Sequence, residues 1–98
     1  MNNYQKGALM YKLFVKKDGC PKCKELTNLP PELKTHAGNG IILEVFDVDE
    51  KEGLAEASFH GILSTPYLIN VDNSDEENVL KEWNDPKEIN KVLEEILI

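Results

Sequence analysis

Tyr11-Lys12-Leu13-Phe14-Val15-Lys16-Lys17-Asp18-Gly19-Cys20-Pro21-Lys22-Cys23 is the stretch that decides the fold. Tyr11–Lys16 is an apolar and aromatic run and reads as a buried strand. Lys17-Asp18-Gly19 reads as a turn. The only two cysteines of the chain then follow with two residues between them. A helix is expected to start at or near this pair. Thiol chemistry depends on thiolate, and a helix N-terminus favours it, because unpaired N–H groups and aligned peptide dipoles attract negative charge. Cys20 and Cys23 are therefore read as a dithiol/disulfide redox centre.

Downstream of the pair, Leu26, Leu29 and Leu33 are the apolar positions of the expected helix. Pro30-Pro31 should end or kink it near Leu29, since proline lacks a donor and clashes with the preceding turn. A restart at Pro31 suits a first helical turn. Gly38-Asn39-Gly40 reads as a loop, and Ile41–Phe46 as the clearest strand. Asp47–Glu50 ends that strand, and a short helix is expected over Lys51–Phe59 with Leu54, Ala55 and Phe59 inward. Pro66–Val71 reads as a third strand, with proline at its first residue. Asp72–Asn78 reads as a polar turn and Val79–Trp83 as a fourth strand. Asp85 then suits an N-cap, Pro86 the first helical position and Glu88 a capping box. Ile89, Val92, Leu93, Ile96 and Leu97 form the apolar stripe of a closing helix.

The expected order is thus β-α-β-α-β-β-α. Strands separated by helices are most simply parallel, and strands separated by a short turn antiparallel. This is an α/β fold with a four-stranded mixed sheet and helices on both faces. Residues 1–10 are expected to be a flexible N-terminal segment and residues 11–98 one domain. A chain of 98 residues with 41% hydrophobic and 30% charged residues fits one modest core.

The formal net charge is −7, and all eleven basic residues are lysine. Nucleic-acid binding is disfavoured, because phosphates need a basic face. Charge is uneven, however. Lys12, Lys16, Lys17, Lys22 and Lys24 face only Asp18 across residues 11–24, which places a basic spot around the cysteines. Such a spot would favour thiolate and attract anionic thiols. Neither a signal peptide nor a membrane span is expected, and a reducing cytoplasm is the expected compartment.

Taken together, Cys20-Pro21-Lys22-Cys23 between the first strand and helix, Thr65-Pro66 at the third strand, and the element order from Tyr11 to Ile98 resemble the thioredoxin superfamily. The nearest likeness is to its compact glutaredoxin-like thiol–disulfide oxidoreductases. The resemblance implies a cis-proline at Pro66 opposite the cysteines. It implies Cys20 as nucleophile and Cys23 as resolving thiol, with the nucleophile's pKa below the ~8.5 of free cysteine. Pro21, Lys22, Thr65 and Pro66 become the substrate-binding positions, Thr65 through its backbone. No bound cofactor or metal is implied, and glutathione is a candidate thiol co-substrate. The implied partners are a disulfide-containing protein or a low-molecular-weight thiol, together with a reductase, acting on a monomer.

Some positions depart from the family pattern. Lys22 stands where glutaredoxins carry an aromatic residue, and Trp83-Asn84-Asp85 where they carry Gly-Gly. Gly19 and Phe14 stand where thioredoxins carry Trp and a buried Asp. Two alternatives follow. One is a redox-inert module that grips an extended peptide beside Pro66. The other is a small zinc-stabilised domain, since Cys20, Cys23 and His36 match part of a finger spacing while His60 lies too far along. His36 and His60 are otherwise expected at the surface or at helix ends.

Overall fold

A computed structural model describes residues 9–27, 36–38 and 40–96. The chain runs β1 (Leu9–Val15), a 3-10 turn (Cys23–Glu25), β2 (His36–Gly38), β3 (Ile41–Asp47), α1 (Lys51–Phe59), β4 (Tyr67–Asp72), β5 (Asp75–Trp83) and α2 (Pro86–Ile96). The five strands lie in the order β2-β3-β1-β4-β5. β1 pairs with β3 in parallel and with β4 antiparallel, so the sheet is mixed as expected.

Side chains alternate across a strand, and the two faces of β1 feed two separate cores. On one face Leu13 and Val15 join Leu43, Val45 and Leu68, covered by Ile89 and Leu93 of α2. On the other, Met10 and Phe14 join Ile69 and Val71, covered by Ala57 of α1. The helices therefore occupy opposite faces. Burying each large aliphatic side chain stabilises the fold by about 1.5–3 kcal/mol, so both layers contribute.

Several boundaries differ from the sequence reading. β1 begins at Leu9 rather than Tyr11, and Met10 is buried, so Leu9 and Met10 belong to the sheet and not to a flexible segment. Residues 1–8 lie outside the described residues, as do the expectations placed on Leu29, Pro30, Pro31, Leu33, Asn39 and Leu97. The sheet has a fifth strand, because His36–Gly38 pairs antiparallel with Ile41–Leu43. His36 is thus a strand residue opposite Leu43, not one near a helix end, and Gly38 is strand rather than loop. The β4–β5 turn is only Asn73-Ser74, and Asp75–Asn78 are strand rather than turn. A hydrogen bond from the Ser74 amide to the Asp72 side chain (3.0 Å) supplies the tight connection.

The inward face of α1 is also rotated. Leu54, Ala55 and Phe59 are exposed, while Gly53 and Ala57 are buried. The reason is close approach, since a Cβ on Gly53 would collide with the backbone carbonyl of Asp47. Glycine lets α1 sit directly on the end of β3, and the larger apolar residues then point away. No helix among the described residues is long and apolar enough to cross a membrane.

Lys12 is the unexpected core residue. It lies on the α1 face of β1 and is 1% exposed. Its Nζ donates to Glu56 (2.5 Å) and Glu76 (2.6 Å) and lies 3.1 Å from Nε2 of His60. An ammonium has three N–H donors, and a neutral His60 with an unprotonated Nε2 completes the set of acceptors. Burial pulls the Lys12 pKa down, but the bonds to Glu56 and Glu76 outweigh it and the net shift is upward. Glu44, opposite Lys12 on β3, has its carboxyl pushed up chiefly by burial. Lys12 therefore does not belong to a basic spot around the cysteines, because it is sealed in the other layer. His60 follows α1 directly but is no surface residue, as its side chain is 1% exposed and packs edge-on to Phe14 and Phe59.

Two outcomes are expected. Gly53→Ala gains about 1 kcal/mol of helix propensity, but overpacking costs about 1–3 kcal/mol and here the obstacle is backbone that cannot swing away. Thermal unfolding should therefore show a lower Tm, and an unchanged or higher Tm would refute the close approach. The second concerns His60, whose pKa is pushed below 6.5, first by burial and then by Lys12. Below that pH the unfolded chain binds the proton more readily than the folded one, so stability falls as pH drops. Denaturant midpoints compared between about pH 7.5 and 5.5 should fall further in the parent than in His60→Gln, which cannot take up the proton.

Candidate functional site

The sulfurs sit just beyond the C-terminal end of β1. Gly19 has φ of 75°, a conformation glycine adopts at no steric cost, and this turns the chain back over the sheet. Cys20 to Leu26 then wind tightly. Cys23, Lys24, Glu25 and Leu26 each donate their N–H to the carbonyl three residues earlier, over 3.1–3.2 Å. Leu26 leaves the turn in extended conformation (φ −79°, ψ 105°). Among the described residues the cysteines therefore ride on a 3-10 turn, not on the α-helix the sequence suggested. Leu26 explains the difference. By leaving the turn it buries itself against Cys20, Cys23, Ile89 and Leu93, a contact that an i, i+3 reading of local spacing cannot register.

Cys20 and Cys23 are joined by a disulfide, with Cα atoms 5.3 Å apart. Both are largely covered, at 6% and 8% exposure. The surface separates them more clearly than those values do. Cys20, with Gly19, Pro21, Lys22 and Thr65, lines an open cleft of about 320 Å³, and Cys23 does not. Pro21 and Lys22 are exposed at its rim.

The Thr65–Pro66 segment meets the cysteines from 45 residues away in sequence. Its peptide bond is cis, and Pro66 is buried at the start of β4. The Thr65 hydroxyl donates to Cys20 Sγ at 3.4 Å, and the Cys23 N–H donates to the same sulfur at 3.1 Å. The Thr65 carbonyl oxygen lies 3.5 Å from that sulfur, within reach of a thiol proton when the bond is reduced. Two donors thus converge on Cys20 Sγ, an arrangement that stabilises negative charge there. A second cleft, about 290 Å³, continues past Pro66 and is lined by Lys22, Glu25, Ser64, Thr65, Asn84 and Asp85.

All six residues singled out in the sequence, Cys20, Cys23, Pro21, Lys22, Thr65 and Pro66, lie at this one place. The basic spot is reduced by its surroundings. Lys16 pairs with Asp49 at 3.4 Å, and Glu25 and Asp85 share the second cleft with Lys22. Among the described residues no three His, Cys, Asp or Glu side chains gather as metal ligands. Sequence reasoning missed the Thr65 hydroxyl, and it missed Asn90. The Asn90 side chain reaches from α2 to accept from the Thr27 N–H and to donate to the Glu25 carbonyl, each at 2.8 Å. An asparagine in the middle of an amphipathic helix, where its propensity is poor, was the available signal.

No protein-family model matches the chain, and no curated protein matches it in sequence. Solved structures do match it in shape. The thioredoxin of Fasciola hepatica superposes with a TM-score of 0.61 at 15% identity, covering 95% of this chain and 85% of that one. A mutant thioredoxin from Halobacterium salinarum NRC-1 gives 0.55 at 18% identity, covering 93% and 76%. A designed protein gives 0.51 at 15% identity, covering 97% and 86%. Likeness at such identities speaks for architecture alone. The chain has the thioredoxin fold, and it carries a close cysteine pair at the end of its central strand.

Proposed function

We propose that this protein is a thiol–disulfide oxidoreductase with Cys20 as nucleophile and Cys23 as resolving thiol. The observation that carries the reading is the bonded pair beside Thr65 and Pro66, with Cys20 alone opening onto the cleft. In the dithiol form, the Cys20 thiolate attacks one sulfur of a substrate disulfide. A Cys20–substrate bond forms, the substrate S–S bond breaks, and the other substrate sulfur leaves as thiolate and takes up a proton. Cys23, on losing its proton, then attacks Cys20 Sγ. The Cys20–Cys23 bond forms and the second substrate sulfur leaves. Two electrons and two protons have passed to the substrate, and a second dithiol must return them.

The roles of the neighbours follow from their chemistry. The Thr65 hydroxyl and the Cys23 N–H stabilise the attacking thiolate, and later the same sulfur as leaving group. Pro66 has no N–H and leaves the Thr65 backbone open to an extended chain. Lys22, Glu25 and Asp85 give the second cleft one cation and two anions, which supports a polar, extended substrate, either a peptide disulfide or glutathione acting as thiol co-substrate. A pair that must be reduced again after each cycle suits a reducing compartment such as the cytoplasm, with a reductase partner and a monomeric enzyme.

The decisive test is reduction of a model peptide disulfide and of a glutathione mixed disulfide by the dithiol form. Cys20→Ser should abolish turnover with both, and unchanged rates would overturn the reading. Cys23→Ser should still attack but stall as a mixed disulfide visible by intact mass. Thr65→Val removes one hydroxyl donor and keeps the shape, so alkylation of Cys20 at neutral pH should slow roughly fivefold, the value of one modest hydrogen bond.

A further inference from the structure

Among the described residues, Asn90 is a distant side chain that grips the turn by its backbone. It sits half-buried in the middle of α2, more than sixty positions along the chain. Its carboxamide bonds the Thr27 N–H and the Glu25 carbonyl, the two backbone groups that flank Leu26. Both need partners, because the turn ends there. The Leu26 N–H is the last to bond back, to Cys23 O at 3.2 Å, and Leu26 is already extended. The amide therefore does for this exit what a neighbouring strand does in a sheet.

Resting on the redox reading of the pair, we propose that Asn90 is a positioning residue for Cys23, and that its clamp biases the couple toward the disulfide. The turn is anchored upstream, where Cys20 follows the Gly19 turn beyond β1 and is touched by Thr65. Its downstream anchor is the Asn90 clamp, together with buried Leu26. Bonded sulfurs draw the turn tight. On reduction the sulfurs move apart, and the constraint that the bond places on the turn is released. Asn90 holds the end that would otherwise move, so its two bonds are better satisfied in the disulfide form. An interaction shifts an equilibrium only by its difference between the two states, and water can replace part of this one, so the bias is modest.

The test is exchange of the full chain with glutathione. Protein dithiol and oxidised glutathione give protein disulfide and two reduced glutathione molecules, with one S–S bond formed and one broken. Free thiols are counted after acid quenching across a range of glutathione ratios. Asn90→Ala should lower the equilibrium constant by about three- to tenfold, consistent with losing up to two modest hydrogen bonds in one state. Asn90→Asp keeps an acceptor for the Thr27 N–H and loses the donor to Glu25, so its fall should be smaller. Unfolding midpoints of both redox forms separate this from a merely structural role, because the disulfide form of Asn90→Ala should lose more stability than the dithiol form. Equal losses in both forms with an unchanged equilibrium constant, or a larger loss in the dithiol form with a raised one, overturn the proposal. A parent protein whose pair fails to exchange with glutathione or with dithiothreitol sinks the redox reading itself, whatever Asn90 does.

Discussion

The site depends on where β1 stands in the sheet. That strand is hydrogen-bonded along both edges and covered on both faces, and Leu13 and Phe14 have no exposure at all. Its end is therefore among the most rigid points of the molecule, and the sulfurs follow a few residues beyond it. A short turn off a fixed strand, with the Thr65 hydroxyl against the sulfur, confines Cys20. The approach of Thr65 also follows from β1, because β4 pairs with it antiparallel and brings the start of β4 to the end of β1, with Phe14 opposite Tyr67.

The two faces of β1 solve different problems. Toward α2, the layer is apolar and ends in the sulfurs. Toward α1, it contains an almost fully covered ammonium, which is tolerable only because acceptors from three other elements surround it. Glu56 comes from α1, Glu76 from β5, and His60 from the loop that leads to Ser64 and Thr65. Removing the ammonium would leave carboxylates facing one another, so this contact holds the outer strand and α1 in one register. The cluster thus lies on one face of β1, and the disulfide lies beyond its end in the layer on the other.

Much of this was legible in the sequence. Ile41–Phe46, the helix over Lys51–Phe59 and the closing helix from Pro86 each show a local pattern, and each formed within a residue or two of its expected span. Cys20 and Cys23 were recognisable from spacing after a strand, and Thr65-Pro66 from the resemblance to the thioredoxin superfamily. What was hidden is non-local. Leu26 leaves its turn because α2 offers a pocket and Asn90 a pair of bonds. Leu54 and Phe59 face outward because Gly53 presses on Asp47. Lys12 inside an apolar run reads as solvated until its acceptors, 44 to 64 residues away, are brought to it. The short strand at His36–Gly38 has too few residues for periodicity to mark it.

The outermost strand, β5, is nine residues long and has one side of its backbone unpaired within the sheet. Such a border is normally an invitation to another chain. Here it is dressed with Asp75, Glu76, Glu77, Lys81 and Glu82, nearly all exposed and mostly of one sign. A second molecule laid against it would bring carboxylate up to carboxylate, with little apolar area gained in return. Acidity gathered on that rim would oppose such self-addition through like-charge repulsion.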